Sequence, residues 1–133
     1  MKIGVKQLVE QATSEITTLS VEEALDAQKE DRAVLVDIRD IRELDREGRV
    51  PGAVHAPRGM LEFWVDPESP YHRDVFAQSD KTYIFFCAAA WRSALATKAL
   101  QDMGMENVAH IEGGFSGWRD HGAPIEIREK KTS

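Results

Sequence analysis

Thr82-Tyr83-Ile84-Phe85-Phe86-Cys87-Ala88-Ala89-Ala90-Trp91-Arg92-Ser93 is the stretch on which the fold turns. Its first five residues are β-branched or aromatic, which predicts a strand ending at Cys87. Beyond the alanines, Leu95, Ala96, Ala99, Leu100 and Met103 recur at the three- and four-residue steps that give a helix one buried face, and Gly104 supplies its stop. A strand running into a helix sets Cys87 at a strand's carboxyl end, where parallel α/β sheets bind their ligands.

The flanking sequence repeats this alternation. Ala33-Val34-Leu35-Val36-Asp37-Ile38 is a short, nearly continuous apolar run that suits a strand covered on both faces, as parallel strands are. Before it, Ser20 and Glu23 form a capping box opening a helix to about Lys29, with a brief strand expected over 16–19. A helical turn through Glu43 and Glu47 leads to Gly48, Pro51 and Gly52, which break it ahead of another brief strand near Ala53 to Ala56. Asn107 to Ile111 reads as a further strand, Gly113-Gly114 as a tight turn, and Phe115 to Asp120 as a last helix. At the start, Val5, Leu8, Val9, Ala12 and Ile16 mark an amphipathic helix that docks on the body. The expected organisation is a helical lead over 1–16, one α/β domain over 17–125 with a mostly parallel sheet of about five short strands between helices, and a polar tail over 126–133.

The chain has 133 residues, enough for one domain, and a net charge of -6 with its Lys and Arg scattered, which argues against nucleic acid or an anionic membrane as partner. No apolar run approaches a membrane span, and residues 1–11 lack a signal peptide's apolar core, so a cytoplasmic location is expected. One cysteine excludes an internal disulfide, a multi-cysteine zinc site and an internal resolving partner. His55, His72, His110 and His121 show no metal-ligand spacing and are expected to be structural or on the surface.

A lone cysteine after an apolar strand is usually inert core. Here the small residues Ala88, Ala89 and Ala90 let the backbone curl around the sulfur, and successive N–H groups in such a turn make an anion-binding nest. The following helix adds its positive end and Arg92 a full charge, each favouring thiolate over thiol. Arg92 could equally pair with an acidic neighbour, and Ser93 could be only a cap. Trp91, Phe63 and Trp64 either rim the pocket or pack in the core, and Trp118 is assigned to packing.

The segment resembles the active-site loop of the rhodanese family of sulfurtransferases, in which Cys is followed by four residues, Arg and usually Ser. Asp37-Ile38-Arg39 with Glu43, Val50-Pro51-Gly52-Ala53-Val54-His55-Ala56-Pro57, and Gly113-Gly114 with Trp118 resemble three further motifs of that family, in the same order. The resemblance spans about Thr17 to Pro124 and implies the rhodanese-like three-layer fold. It further implies a single-domain sulfurtransferase in which Cys87 is the catalytic nucleophile and carries sulfur as a persulfide, with Ala88, Ala89, Ala90, Trp91 and Arg92 cradling the substrate; Arg58, following Ala56-Pro57, either lines the pocket mouth and recruits an anion or is simply solvated. Asp37, Arg39 and Glu43 would brace the loop. No metal or organic cofactor is implied; the donor would be thiosulfate or a small persulfide, and the acceptor cyanide, a thiol or a protein. Ala90 stands where the family usually has Gly and Arg49 where His is common, and Ala88 and Ala89 lack the basic side chains of many thiosulfate-using members, which leaves the donor open. Two other functions fit the same fold: a catalytically silent binding or regulatory module, and a cysteine-based phosphatase or arsenate reductase, whose loops separate Cys from Arg by five residues.

Overall fold

A computed structural model describes residues 1–127; the greater part of the expected polar tail lies outside the described residues. Five strands, β1 (Thr18–Leu19), β2 (Ala33–Asp37), β3 (Val54–His55), β4 (Thr82–Phe86) and β5 (Val108–Ile111), form one parallel sheet in the order β1-β5-β4-β2-β3. Six α-helices accompany them: α1 (Val5–Glu15), α2 (Val21–Lys29), α3 (Ile41–Glu47), α4 (Leu61–Val65), α5 (Trp91–Asp102) and α6 (Gly114–Asp120). The expected α/β architecture is therefore present, with every strand pair parallel. Two short 3-10 turns, Arg58–Met60 and Asp74–Ala77, complete the path, and neither is signalled by hydrophobic period.

Alternation along the strands builds two cores. Ile84 and Phe86 of β4 join Leu35, Val21, Ala24, Phe115 and Trp118 on the face covered by α2 and α6. Tyr83, Phe85 and Cys87 point the other way, with Val36, Ile38, Leu61, Ala96 and Leu100 beneath α4 and α5. Each fully buried Phe stabilises by roughly 1.5–3 kcal/mol, so β4 is the spine of the molecule. The capping box at α2 is formed as read, with Ser20 and Glu23 exchanging hydrogen bonds of 3.1 Å. Val9 and Ala12 of α1 pack on Ala94 and Leu95, so the N-terminal helix buttresses the outside of α5. At the other end Glu126 forms an isolated antiparallel bridge with Arg49.

Strand order places the site. From β2 the chain crosses by α3 to β3 on one side, whereas from β4 it crosses by α5 to β5 on the other. The carboxyl ends of the adjacent strands β2 and β4 therefore flank a topological switch point, the crevice where such sheets bind ligands. Cys87 follows β4 directly and Ile38-Arg39 follow β2.

Candidate active site

The loop from Cys87 to Ala90 is held by its carbonyls. The Cys87 oxygen accepts from Phe115 N at 2.8 Å and the Ala88 oxygen from Ser116 N at 3.0 Å, both amides of the first turn of α6. The Ala90 oxygen accepts from Ala94 N at 3.0 Å and from the Ser93 hydroxyl at 3.1 Å. In a trans peptide C=O and N–H point to opposite sides, and no described peptide is cis. Turning these carbonyls onto α6 and α5 thus turns the N–H groups of Ala88, Ala89 and Trp91 the other way. Among the described residues, the amides of Ala88 to Arg92 have no protein acceptor, and α5 has no side-chain cap. A run of adjacent unclaimed donors is what an anion-binding nest requires.

Gly114 makes the tethering possible. Its φ is +58°, and a Cβ there would fall on the Ala89 carbonyl oxygen and within 2.5 Å of the Cys87 oxygen. Only glycine lets α6 come this close. The Gly113-Gly114 pair, read from sequence as geometry that a side chain would obstruct, is thus part of the loop's support.

Arg92 is anchored on Glu43, Nη1 donating to Oε2 at 2.8 Å and Nη2 to Oε1 at 2.9 Å. This fork-on-fork pair holds the Glu43 carboxyl below its ordinary range. It also raises the Arg92 guanidinium, a rise that burial opposes and to which the nearness of Cys87 adds a smaller upward contribution. Arg92 therefore pairs with an acid, one of the two roles the sequence left open, and lies close enough to Cys87 to interact with it electrostatically. Glu43 is itself fixed by the capping box of α3, accepting from Asp40 N at 2.9 Å.

Asp37 and Arg39 lie one layer further out. Arg39 is fully buried, donates to both Asp37 oxygens and to the Gly48 carbonyl, and lies 4.0 Å over the Phe115 ring. Phe115 is the residue whose amide holds the Cys87 carbonyl. The Asp37–Arg39 pair thus supports the loop through α6, while Glu43 supports it through Arg92.

The remaining candidates are placed as follows. Cys87 is 1% exposed, at the floor of the loop, whereas Ala89 and Trp91 are exposed. Trp91 and Phe63 are each 52% exposed, so neither is core. Trp64 is half-buried beneath the Arg73 guanidinium. Arg58 donates to Glu62 at 2.6 Å, and no contact joins it to the loop among the described residues. Trp118 is 1% exposed and its Nε1 donates to the Pro124 carbonyl, as expected of a packing residue. His55 meets the Arg39 carbonyl at 2.7 Å. A concavity of about 470 Å³ beside Thr17, Arg32 and Thr82 lies at the amino ends of the strands, away from the only thiol. Sequence reasoning missed the burial of Ser93 and His110, hydrogen-bonded to each other at 3.0 Å.

This combination of parallel sheet, strand-to-helix cysteine loop and bracing acids has a family. The chain belongs to the rhodanese-like domain family, whose family model matches residues 20–121. Among solved structures, a protein of unknown function from Rhodopseudomonas palustris, named as a possible tyrosine phosphatase, is 50% identical, with a TM-score of 0.89 over 95% of this chain and 96% of that one. The polysulfide-sulfur transferase homodimer of Wolinella succinogenes is 28% identical, with a TM-score of 0.72 over 96% of this chain and 90% of that one. The thiosulfate sulfurtransferase GlpE of Glaesserella parasuis is 30% identical over 84% of this chain and 94% of its own length. The chain spans 49% and 62% of two other curated relatives, an uncharacterized Synechocystis protein and the mouse thiosulfate sulfurtransferase/rhodanese-like domain-containing protein 3. No described helix is long and apolar enough to cross a membrane.

Proposed function

We propose that this protein is a sulfurtransferase that carries sulfane sulfur on Cys87. The observation that carries the reading is the loop itself: the carbonyls of Cys87, Ala88 and Ala90 tethered to α6 and α5, the amides of Ala88 to Arg92 unclaimed among the described residues, and Arg92 anchored on Glu43 next to the loop. Such an array stabilises negative charge on the thiolate and on the outer sulfur of a persulfide, as preorganised donors do in an oxyanion hole.

In the first half-reaction the Cys87 thiolate attacks the outer sulfur of thiosulfate. A new S–S bond forms, the thiosulfate S–S bond breaks, and sulfite leaves with the electron pair. In the second, cyanide or a thiolate attacks the outer sulfur of the Cys87 persulfide, and the pair returns to Cys87. Sulfane sulfur is moved with no external oxidant or reductant, and the cycle needs neither metal nor organic cofactor. A persulfide on a small thiol or a protein serves equally as donor, since Ala88 and Ala89 add no basic side chain for thiosulfate. Because the outer sulfur sits about 2 Å beyond Sγ, the loaded form reaches further than the buried thiol. Arg58 is assigned to anion recruitment at the mouth and Trp91 to the apolar rim. The reaction is assigned to residues 17–125, acting in the cytoplasm.

The test is loading. After incubation with thiosulfate or a small persulfide, the intact mass should rise by one sulfur, and cyanide should remove it. Cys87→Ser should take up none, and a wild type that stays unloaded with every donor sinks the reading. The 50% identity to the possible tyrosine phosphatase gives a second reading its specific support. Four residues separate Cys87 from Arg92, a tighter ring than a phosphoryl group with three oxygens requires. An aryl phosphate assayed beside thiosulfate decides between them. If wild type and Cys87→Ser bind a partner equally while neither transfers sulfur, the chain is a binding module.

A further inference from the structure

We infer that His110 is a positioning residue for Cys87, acting through Ser93 to hold the Ala90–Trp91 peptide with its N–H directed into the loop. The inference rests on the sulfurtransferase reading for what the loop does, but not for the geometry.

His110 lies on β5 and is 2% exposed; Ser93 on α5 is fully buried. His110 Nδ1 is 3.0 Å from Ser93 Oγ, and its Nε2 is 2.9 Å from Thr18 Oγ1 on the neighbouring strand β1. Ser93 Oγ is also 3.1 Å from the Ala90 carbonyl. A serine hydroxyl has one proton, and a carbonyl can only accept. The proton of Ser93 is therefore spent on Ala90, so Nδ1 must donate to Ser93 and Nε2 must accept from Thr18. One neutral tautomer satisfies all three contacts. Burial also favours the uncharged ring, holding His110 below its ordinary value.

Thr18 donates to His110, His110 to Ser93, and Ser93 to the Ala90 carbonyl. Its end is the carbonyl whose peptide supplies the Trp91 amide. With the other tautomer, Ser93 would have to donate to His110, the Ala90 carbonyl would keep only Ala94 N, and the Ala90–Trp91 peptide would lose one of the two bonds that orient it. His110 touches no reacting atom; it fixes the direction of one that does.

The substitutions that test this separate donor position from packing. Asn places an N–H near Nδ1, Gln places one near Nε2, and Leu places none. For the full chain, kcat and KM are measured for sulfur transfer from thiosulfate to cyanide, alongside the alkylation rate of Cys87 by iodoacetamide and the melting temperature. His110→Leu and His110→Gln should lower kcat and alkylation about tenfold with KM within about twofold, a fraction of the loss from deleting such a donor. His110→Asn should stay within about threefold of wild type. Ser93→Ala should lose about tenfold alone and no more when combined with His110→Leu, because both cut one chain. Equal losses in all three His110 variants that follow their melting temperatures, or none in any, would overturn the inference. If the wild type transfers no sulfur, the functional reading falls while the alkylation series still decides the role of His110. If His110→Leu does not fold, Ser93→Ala against His110→Asn gives the same comparison.

Discussion

Substituting Gly114 by alanine should both destabilise the protein and disable the loop, and Gly113→Ala is the internal control. Both glycines have positive φ, +58° and +74°, so each alanine carries a left-handed backbone cost of roughly 1–2 kcal/mol. They differ in what the new methyl meets. At Gly113 the nearest atom is Gly117 Cα at 3.3 Å, a tight but tolerable contact. At Gly114 the methyl collides with the Ala89 and Cys87 carbonyl oxygens, and relief requires α6 to back away. That motion breaks Phe115 N to Cys87 O and Ser116 N to Ala88 O, at about 1 kcal/mol each. Gly114→Ala should thus cost about 3–4 kcal/mol, or roughly 12–16 °C in melting temperature, against about 4–8 °C for Gly113→Ala. Sulfur loading at a temperature where both variants are folded should fall at least about a hundredfold in Gly114→Ala and within about threefold in Gly113→Ala, since whole donors are misaimed only in the former. Equal loading by the two variants would refute the view that tethered carbonyls aim the amides.

Other expectations follow from the bracing groups. Glu43→Gln should cut loading about tenfold by releasing one arm of Arg92, yet cost no more than about 1 kcal/mol in chemical denaturation because Arg92 is partly exposed; unchanged loading would show that Arg92 needs no anchor. Arg39→Met leaves Asp37 buried without its partner and should cost about 3–5 kcal/mol by urea titration, a loss under about 1 kcal/mol refuting the account. Two groups shape stability on the acid side of neutrality. Folding disfavours the His110 proton, so as pH falls through 6.5 the unfolded chain takes up a proton that the folded one refuses, and stability drops until the lower folded value is reached. Glu43 is shifted down by Arg92, so its contribution is intact above 4.5 and disappears as pH falls through its lowered folded value. Melting temperature against pH should therefore decline in two stages, and His110→Asn should abolish the first alone; an unaltered first stage would assign it elsewhere.

How much of this was legible in the sequence depended on range. β2, β4 and α5 declare themselves through period and composition, because alternating burial and helical spacing are local properties. Ser20 and Glu23 announce a helix start by the same local chemistry. The tethering of the loop does not, since it joins Cys87 and Ala88 to amides at Phe115 and Ser116, far along the chain, and backbone donors leave no mark in side-chain identity. Gly113-Gly114 is the one visible trace of that approach. A lone histidine without a spacing partner reads only as structural or on the surface; the signal that decides for His110 is its place inside the apolar run Val108 to Ile111, where a polar ring needs hydrogen bonds. Arg39 was legible as a brace but not as a buried one stacked on Phe115.

The burial of Cys87 bears directly on its chemistry. At 1% exposure, a cysteine at the end of an apolar strand would ordinarily stay inert. The loop would then be an odd way to cover it. The first amides of α5 have no intrahelical acceptor, and the tethered loop before it extends that run, so that among the described residues the donors from Ala88 to Arg92 are left free. An anion at the loop's centre, as the sulfurtransferase proposal requires, would satisfy those donors. Access to the buried sulfur can be tested by reagent size. Iodoacetamide, small enough to enter the ring, should alkylate the native protein readily, whereas a bulky aryl maleimide should be disfavoured by at least about tenfold relative to the same pair acting on the unfolded chain. Identical selectivity in the folded and unfolded states would mean that the sulfur stands open in solution, and the case for a cradle fitted to one small atom would fail with it.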